Sequence, residues 1–113
     1  LHEIGAAYAA ASLVVSRSGA SSLGEYPYFA LPAILVPYPY AWRYQKINAD
    51  YLVDAGAAML LEDSRLKSEL LPSIRGLLGK PLELAAMSSA MGALNRPQAA
   101  EAIAALIYEM AEA

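Results

Sequence analysis

The 113-residue sequence contains no cysteine and only one histidine. The absence of thiols excludes disulfides and thiolate metal sites, and one imidazole is too few for a histidine cage, so we expect no metal or other cofactor. Charge is also scarce, since 17% of the residues are charged and 8 basic against 11 acidic side chains leave a net charge of −3. Such a surface does not attract a phosphate backbone, and we expect no nucleic-acid partner.

Long apolar runs are missing too. The apolar stretch at residues 4–15 is far shorter than the roughly 20 residues of a membrane span, and no basic residue precedes it as in a signal peptide. The composition is nevertheless 58% hydrophobic, which is typical of a folded chain with a core. The length suits one domain.

The apolar pattern predicts strands that alternate with helices. Strands are predicted at 13–16, 33–36 and 57–61, and helices at 4–11, 20–30, 45–55, 66–78, 82–94 and 97–112. Pro27 should kink or shorten its helix, Gly56 should end the next one, and Asp63 with Ser64 should cap a third. This order predicts an α/β fold, a Rossmann-like parallel sheet of about three strands with flanking helices.

Three strands are fewer than the five or six of a typical doubly wound domain. The chain also begins at Leu1 instead of a methionine. Both features favour a domain whose front part lies outside this sequence. We therefore expect exposed surfaces that cause the piece to self-associate.

The segment after the first predicted strand is rich in small and polar residues. Gly19 and Ala20 let a ligand approach the main chain, and Arg17 can add a charge or brace the loop. Three hydroxyls are available for donation, those of Ser18, Ser21 and Ser22. A helix that begins where a parallel strand ends, at the carboxyl edge of the sheet, offers its N–H groups to a phosphate. An ordinary strand-to-helix turn has the same composition, however.

Glu25 follows on the first turns of the same predicted helix. Its carboxylate suits the helix dipole without any ligand, and it also suits two adjacent ribose hydroxyls if phosphates bind at the helix start. The residues alone leave both interpretations open.

Seven of the ten aromatic residues lie between residues 26 and 44. They are Tyr26, Tyr28, Phe29, Tyr38, Tyr40, Trp42 and Tyr44. Such rings either stack on a sugar or base or mark a surface that another domain covers, and we favour the covered surface. Next along the chain, Gln45 and Asn48 can bind sugar hydroxyls, and Asn48 can instead cap its helix. Met87 and Met91 have helical spacing that predicts core positions.

An ordered series of motifs resembles the C-terminal domain of bacterial MurG-like peptidoglycan glycosyltransferases, family 28. The motifs lie at 17–20 with Glu25, 31–38, 45–49, 55–58 and 95–100, and they cover nearly the whole chain. Two stretches depart from the family pattern. Trp42, Arg43 and Tyr44 stand where acidic, histidine or glutamine side chains are usual, and Pro27 with Tyr28 interrupts an alanine-rich helix.

The resemblance implies a GT-B fold in which residues 1–113 form part of the C-terminal nucleotide-sugar-binding domain. It implies that residues 17–22 face the diphosphate of UDP-N-acetylglucosamine and that Glu25 binds the ribose. Gln45 would contact the sugar hydroxyls, and the main chain of Leu1 would read the uracil. The N-terminal acceptor domain and the catalytic base would lie outside the chain, so no catalytic residue is assigned here.

The function implied by the resemblance is transfer of N-acetylglucosamine, with inversion, to lipid-linked N-acetylmuramyl-pentapeptide in peptidoglycan synthesis. The whole enzyme would be a cytoplasmic protein, peripheral at the inner face of the cell membrane, and this piece alone would be inactive. Two alternatives remain. One is the donor-binding subunit of a split glycosyltransferase, and the other is a non-catalytic module that binds a nucleotide or a protein.

Overall fold

The computed structural model describes residues 11–20 and 22–95, and for Trp42 only the main chain. Three short strands form one parallel sheet, and each lies inside a predicted strand: β1 (Val14–Ser16), β2 (Ala33–Leu35) and β3 (Ala58–Leu60). Their order is β1-β2-β3, with Val15 opposite Ile34 and Ile34 opposite Met59. The predicted parallel α/β sheet is therefore confirmed.

Four helices accompany the sheet in the described part of the chain. They are α1 (Ser22–Tyr28), α2 (Trp42–Asp54), α3 (Leu66–Leu78) and α4 (Pro81–Ala93). Short 3₁₀ turns at Pro39–Ala41 and Asp63–Arg65 precede α2 and α3. The helix predicted at 66–78 has the bounds of α3. The helix predicted at 97–112 and all but the last residue of the one predicted at 4–11 lie outside the described residues.

Helix α1 is shorter than the prediction of 20–30, and Pro27 lies next to its last residue. The chain turns at Ala30, whose φ is 50°. The N–H groups of Ala30 and Leu31 donate to the carbonyls of Pro27 and Tyr26 over 3.1 and 3.0 Å. This paired arrangement is a Schellman motif, which explains why the helix ends here even though Ala30 is not glycine.

Helix α2 ends with the same motif, here at the residue that the sequence predicted. Gly56 has a φ of 80° and donates its N–H to the carbonyl of Val53, and Ala57 donates to the carbonyl of Leu52. The left-handed conformation favours glycine, which lacks the Cβ that would strain it. The start of α2 differs from the prediction, because the 3₁₀ turn leads directly into a helix that begins at Trp42 instead of Gln45.

The capping role predicted for Asp63 and Ser64 is wrong. Both residues lie within the 3₁₀ turn, and α3 has Arg65 at its N-cap without a side-chain capping bond. Asp63 instead forms an ion pair with Arg17, which follows β1, two strands away in the sheet. Asp63 and Ser64 are residues that favour a helix start, but the Asp63 side chain binds a partner far away in the chain instead of the helix N-terminus.

Helices cover both faces of the central strand. Ala33 and Leu35 pack toward α1 and α2, whereas Ile34 packs toward α3, and all three are 0% exposed. Met91 belongs to the first cluster and Met87 to the second, so α4 contributes to both and the predicted core positions of these methionines are confirmed. A strand buried on both faces is typical of a parallel sheet. The sheet is thus a fixed platform for the loops at its carboxyl edge.

Candidate functional site

Three loops meet at the carboxyl edge of the sheet, because parallel strands all end on the same side. The loop after β1 carries residues 17–20, the loop after β2 leads through the 3₁₀ turn at Pro39–Ala41 into α2, and the loop after β3 carries Glu62 and Asp63. Most of the sequence-predicted site residues lie at this edge. Leu1 and Ser21 lie outside the described residues.

Ser18 connects the first loop to the start of α2. Its side chain is buried, and its Oγ donates to the main-chain carbonyl of Gln45 over 2.6 Å. In return, the side-chain amide of Asn48 donates to the carbonyl of Ser18 over 3.0 Å. Asn48 thus does not cap its helix but holds the loop after β1, a role that was not anticipated from the sequence.

Ser22 closes the turn itself. Its Oγ and its N–H both donate to the carbonyl of Gly19, over 2.5 and 3.1 Å. The two described serine hydroxyls therefore donate to main-chain carbonyls, not toward the crevice. By contrast, the N–H groups of Gly19 and Ala20 make no hydrogen bond to the residues that the structure describes. The main chain of the turn, more than its hydroxyls, is what this edge offers to a ligand.

Gly19 leaves open space around that main chain. A Cβ built at Gly19 would meet nothing within 4 Å, and the residue does not adopt a positive φ. The turn therefore does not require glycine for its own conformation. The missing side chain instead leaves the adjacent N–H groups open to close approach.

Arg17 braces the loops, which was one of its two predicted roles. Its Nη1 lies 2.5 Å from Oδ1 of Asp63 and 3.3 Å from the carbonyl oxygen of Val36. Its guanidinium also lies 5.3 Å from the centre of the Tyr38 ring, a distance that permits a cation–π contact. One side chain thus contacts segments that follow β2 and β3.

Tyr26 supports the loop after β1 from the core side. Its hydroxyl donates to Oγ of Ser16 over 2.7 Å, and the Ser16 hydroxyl in turn donates to the carbonyl of Arg17 over 2.8 Å. Tyr26 is 5% exposed and belongs to the core, so its predicted place in an exposed aromatic surface is wrong. Its ring fills the core while its polar tip reaches the strand end, a double role that periodicity does not reveal.

Glu25 lies on the first turn of α1, close in the chain to the Gly19–Ala20 turn. Its side chain is exposed, and it forms no ion pair or hydrogen bond with any described residue. A carboxylate with unused acceptor sites can bind two neighbouring hydroxyls.

Gln45 lies on the first turn of α2. Its Oε1 accepts a hydrogen bond from the N–H of Tyr38 over 2.7 Å. This bond orients the side-chain amide and leaves its NH₂ group to donate elsewhere. Gln45 therefore both fixes the second loop and presents two donors at the same edge.

Exposed tyrosines lie on the loop after β2 and on the first turn of α2. Tyr40 is 91% and Tyr44 73% exposed, and the rings of Tyr38 and Tyr40 lie 5.3 Å apart. Tyr28 is exposed as well, but it packs edge-on against Phe29 at the end of α1, where the chain turns back toward β2. The six aromatic side chains of this set that the structure describes thus form separate groups instead of the single surface that the sequence predicted.

Two classes of site find no support in the described residues. None of their histidine, aspartate or glutamate side chains group in threes that could hold a metal ion. None of the helices described is long and apolar enough to cross a membrane.

An open parallel sheet with helices on both faces and a small-residue turn at its carboxyl edge defines a Rossmann-like α/β domain. A model of the glycosyltransferase family 28 C-terminal domain matches residues 1–104. The chain therefore belongs to this family, and the resemblance noted in the sequence is confirmed.

Similar proteins carry one shared name. The sequence is 44% identical to a protein of Desulforudis audaxviator and 46% identical to one of Anaeromyxobacter sp., over 97% of this chain in both comparisons. Both are named UDP-N-acetylglucosamine–N-acetylmuramyl-(pentapeptide) pyrophosphoryl-undecaprenol N-acetylglucosamine transferase. The chain spans 30% and 29% of their respective lengths.

A solved structure agrees with the fold. The crystal structure of Acinetobacter baumannii MurG superposes with a TM-score of 0.80 at 28% sequence identity. The match covers 96% of this chain and 32% of that one.

Proposed function

We propose that this chain is the UDP-N-acetylglucosamine-binding part of an inverting N-acetylglucosaminyltransferase of peptidoglycan synthesis. The names of the relatives support the reaction, and family membership over residues 1–104 supports the assignment to a C-terminal domain. In this proposal residues 1–113 are part of that domain. The acceptor domain belongs to the remaining length of the relatives.

The observation that carries the proposal is the pairing of an open main-chain turn with a carboxylate that has no partner among the described residues. The free N–H groups of Gly19 and Ala20 suit diphosphate oxygens. Glu25, on the helix that follows, suits the two ribose hydroxyls. A nucleoside diphosphate needs both features, whereas inorganic anions need only the first.

The remaining proposed contacts are those that the family resemblance implies. The turn from Arg17 to Ser22 faces the diphosphate, with its main chain as the donor. The NH₂ group of Gln45 donates to hydroxyls of the sugar, since its Oε1 already accepts from Tyr38. The main chain of Leu1 reads the uracil.

These groups also bear on the chemistry. When the bond between sugar and phosphate breaks, negative charge grows on the UDP leaving group. Fixed N–H donors at the turn would stabilise that charge without reorganising. The base that deprotonates the acceptor hydroxyl would come from the acceptor domain. In this scheme the described residues act through their own groups and hold no metal or cofactor.

The partners of the whole enzyme are part of the same proposal. Its acceptor is lipid-linked N-acetylmuramyl-pentapeptide, and it works as a peripheral protein at the inner face of the cell membrane. Because the acceptor site and the base belong to the other domain, the chain alone binds the donor and transfers nothing.

Titration calorimetry of Glu25→Ala tests the proposal. The variant should bind UDP about tenfold to a hundredfold more weakly than the wild-type chain, because hydrogen bonds to a charged group are worth about 1.5 to 3 kcal/mol. Pyrophosphate affinity should change little, since pyrophosphate has no ribose. Glu83→Ala is the matched control, because Glu83 lies in the first turn of α4.

Equal losses for UDP and pyrophosphate in Glu25→Ala would remove Glu25 from ribose binding. Absence of UDP binding by the wild-type chain would refute the donor site itself. A loss in Glu83→Ala as large as that in Glu25→Ala would show that removal of an exposed carboxylate acts through general charge effects.

A further inference from the structure

The side chain of Arg17 contacts segments that follow both of the other strands. Its Nη1 bonds to Oδ1 of Asp63 and to the carbonyl of Val36, and its guanidinium lies over the ring of Tyr38. Arg17 follows β1, Val36 and Tyr38 follow β2, and Asp63 follows β3. The three loops of the candidate site therefore meet at one guanidinium.

The ion pair also compensates the charge of Arg17. A carboxylate 2.5 Å from Nη1 opposes the field that the guanidinium would otherwise direct at a phosphate. The side chains of Arg17 and Asp63 are 45% and 34% exposed, so the pair is only partly screened by water. An unpaired Asp63 at this edge would repel an anionic ligand.

From these contacts we infer that Arg17 and Asp63 are positioning residues for the donor, and that Arg17 is not a phosphate ligand. The pair, with the carbonyl of Val36, forms what we call the Arg17 clasp. The clasp holds the three loops in one arrangement and keeps Asp63 from facing the diphosphate as a bare charge. The inference rests on the proposed donor function and adds to it how the site is held in shape.

The two roles of Arg17 predict opposite effects of Asp63→Ala. If Arg17 binds phosphate, the removal of Asp63 frees its charge and tightens pyrophosphate and UDP binding. If Arg17 positions the loops, the removal of Asp63 opens the clasp and weakens UDP binding, since loops must then be ordered on binding. We expect weakening of about tenfold, the cost of ordering one or two loop residues.

The double variant gives the second readout. With the ion pair already removed by Asp63→Ala, adding Arg17→Ala should lower UDP affinity by less than about threefold, because only the 3.3 Å bond to the Val36 carbonyl and the contact with the Tyr38 ring remain to be lost. A phosphate ligand would still cost about tenfold or more in that background. The exchanged pair Arg17→Asp with Asp63→Arg should recover part of the lost affinity, since it restores opposite charges across the same gap.

Arg65 and Glu69 supply a matched control. They form an exposed pair of the same chemistry, with Arg65 in the same 3₁₀ turn as Asp63, Glu69 in the first turn of α3, and 3.7 Å between Nη1 and Oε2. Arg65→Ala and Glu69→Ala should leave UDP affinity unchanged. Calorimetry with UDP and pyrophosphate on the 113-residue chain measures all the variants, and circular dichroism checks that each one is folded.

The outcomes separate the clasp from the donor site. Tighter binding in Asp63→Ala, or a tenfold loss when Arg17→Ala is added to it, would overturn the clasp while leaving the donor site intact. If the wild-type chain binds no UDP, the donor proposal fails, and urea unfolding then decides the clasp. In that case the single variants should each lower the midpoint, and the double variant should lose less than the sum of the two single losses. Additive losses would overturn the inference.

Discussion

The buried hydroxyl of Ser18 offers a direct test of how the site is built. Ser18 is 0% exposed and donates to the carbonyl of Gln45 over 2.6 Å, so Ser18→Ala deletes one short hydrogen bond without changing the surface. The carbonyl of Gln45 lies within α2 and keeps its helical acceptor role, so no buried group is left without a partner. The cost should therefore be that of one hydrogen bond, about 1 kcal/mol of unfolding free energy.

Equilibrium unfolding in urea, followed by circular dichroism, measures this loss. The control is Ser68→Ala, because the hydroxyl of Ser68 is exposed and lies 3.4 Å from its acceptor, the carbonyl of Arg65. That variant should stay within about 0.5 kcal/mol of the wild-type chain. If Ser18→Ala is no less stable than Ser68→Ala, the bond between the first loop and α2 does not hold the site together.

Two further predictions concern stability and assembly. Ala30→Gly should raise the unfolding free energy by about 0.5 to 1 kcal/mol, because Ala30 has a φ of 50° that glycine adopts without strain. An unchanged or lower stability in urea would contradict this interpretation of the turn. The chain should self-associate at micromolar concentration, because β1 lies at one edge of the described sheet with Val15 37% exposed, and α2 exposes Tyr44 and Ile47. Sedimentation velocity measures this, and a clean monomer would contradict it.

The strands were predictable because their signals are local. β2 lies in an apolar run between two prolines, and a strand that is buried on both faces must be apolar at every position. The end of α2 was also predictable, since Gly56 acts through its own backbone preference, whereas α1 ends in a turn at Ala30 that an alanine does not signal. Local chemistry is thus sufficient to place the elements and the edge at which the site lies.

The contacts within the site were less predictable because they join residues far apart in the chain. The sequence indicated that Ser18 can donate, but not that its acceptor is the carbonyl of Gln45. It assigned Asp63 to a helix cap, although the side chain turns to Arg17, 46 positions away. Composition and spacing identify which groups can bond, and only the packed sheet decides which of them meet.

The central claim is that the carboxyl edge of this sheet binds a nucleoside diphosphate. Titration of UDP into the isotope-labelled 113-residue chain, followed through the backbone amide resonances, tests it most directly. The account predicts that the largest shifts fall on Gly19, Ala20, Glu25 and Gln45. Shifts confined to the opposite edge, where Ser12, Pro32 and Ser88 line a groove of about 350 Å³, or no shifts at saturating UDP, would contradict it.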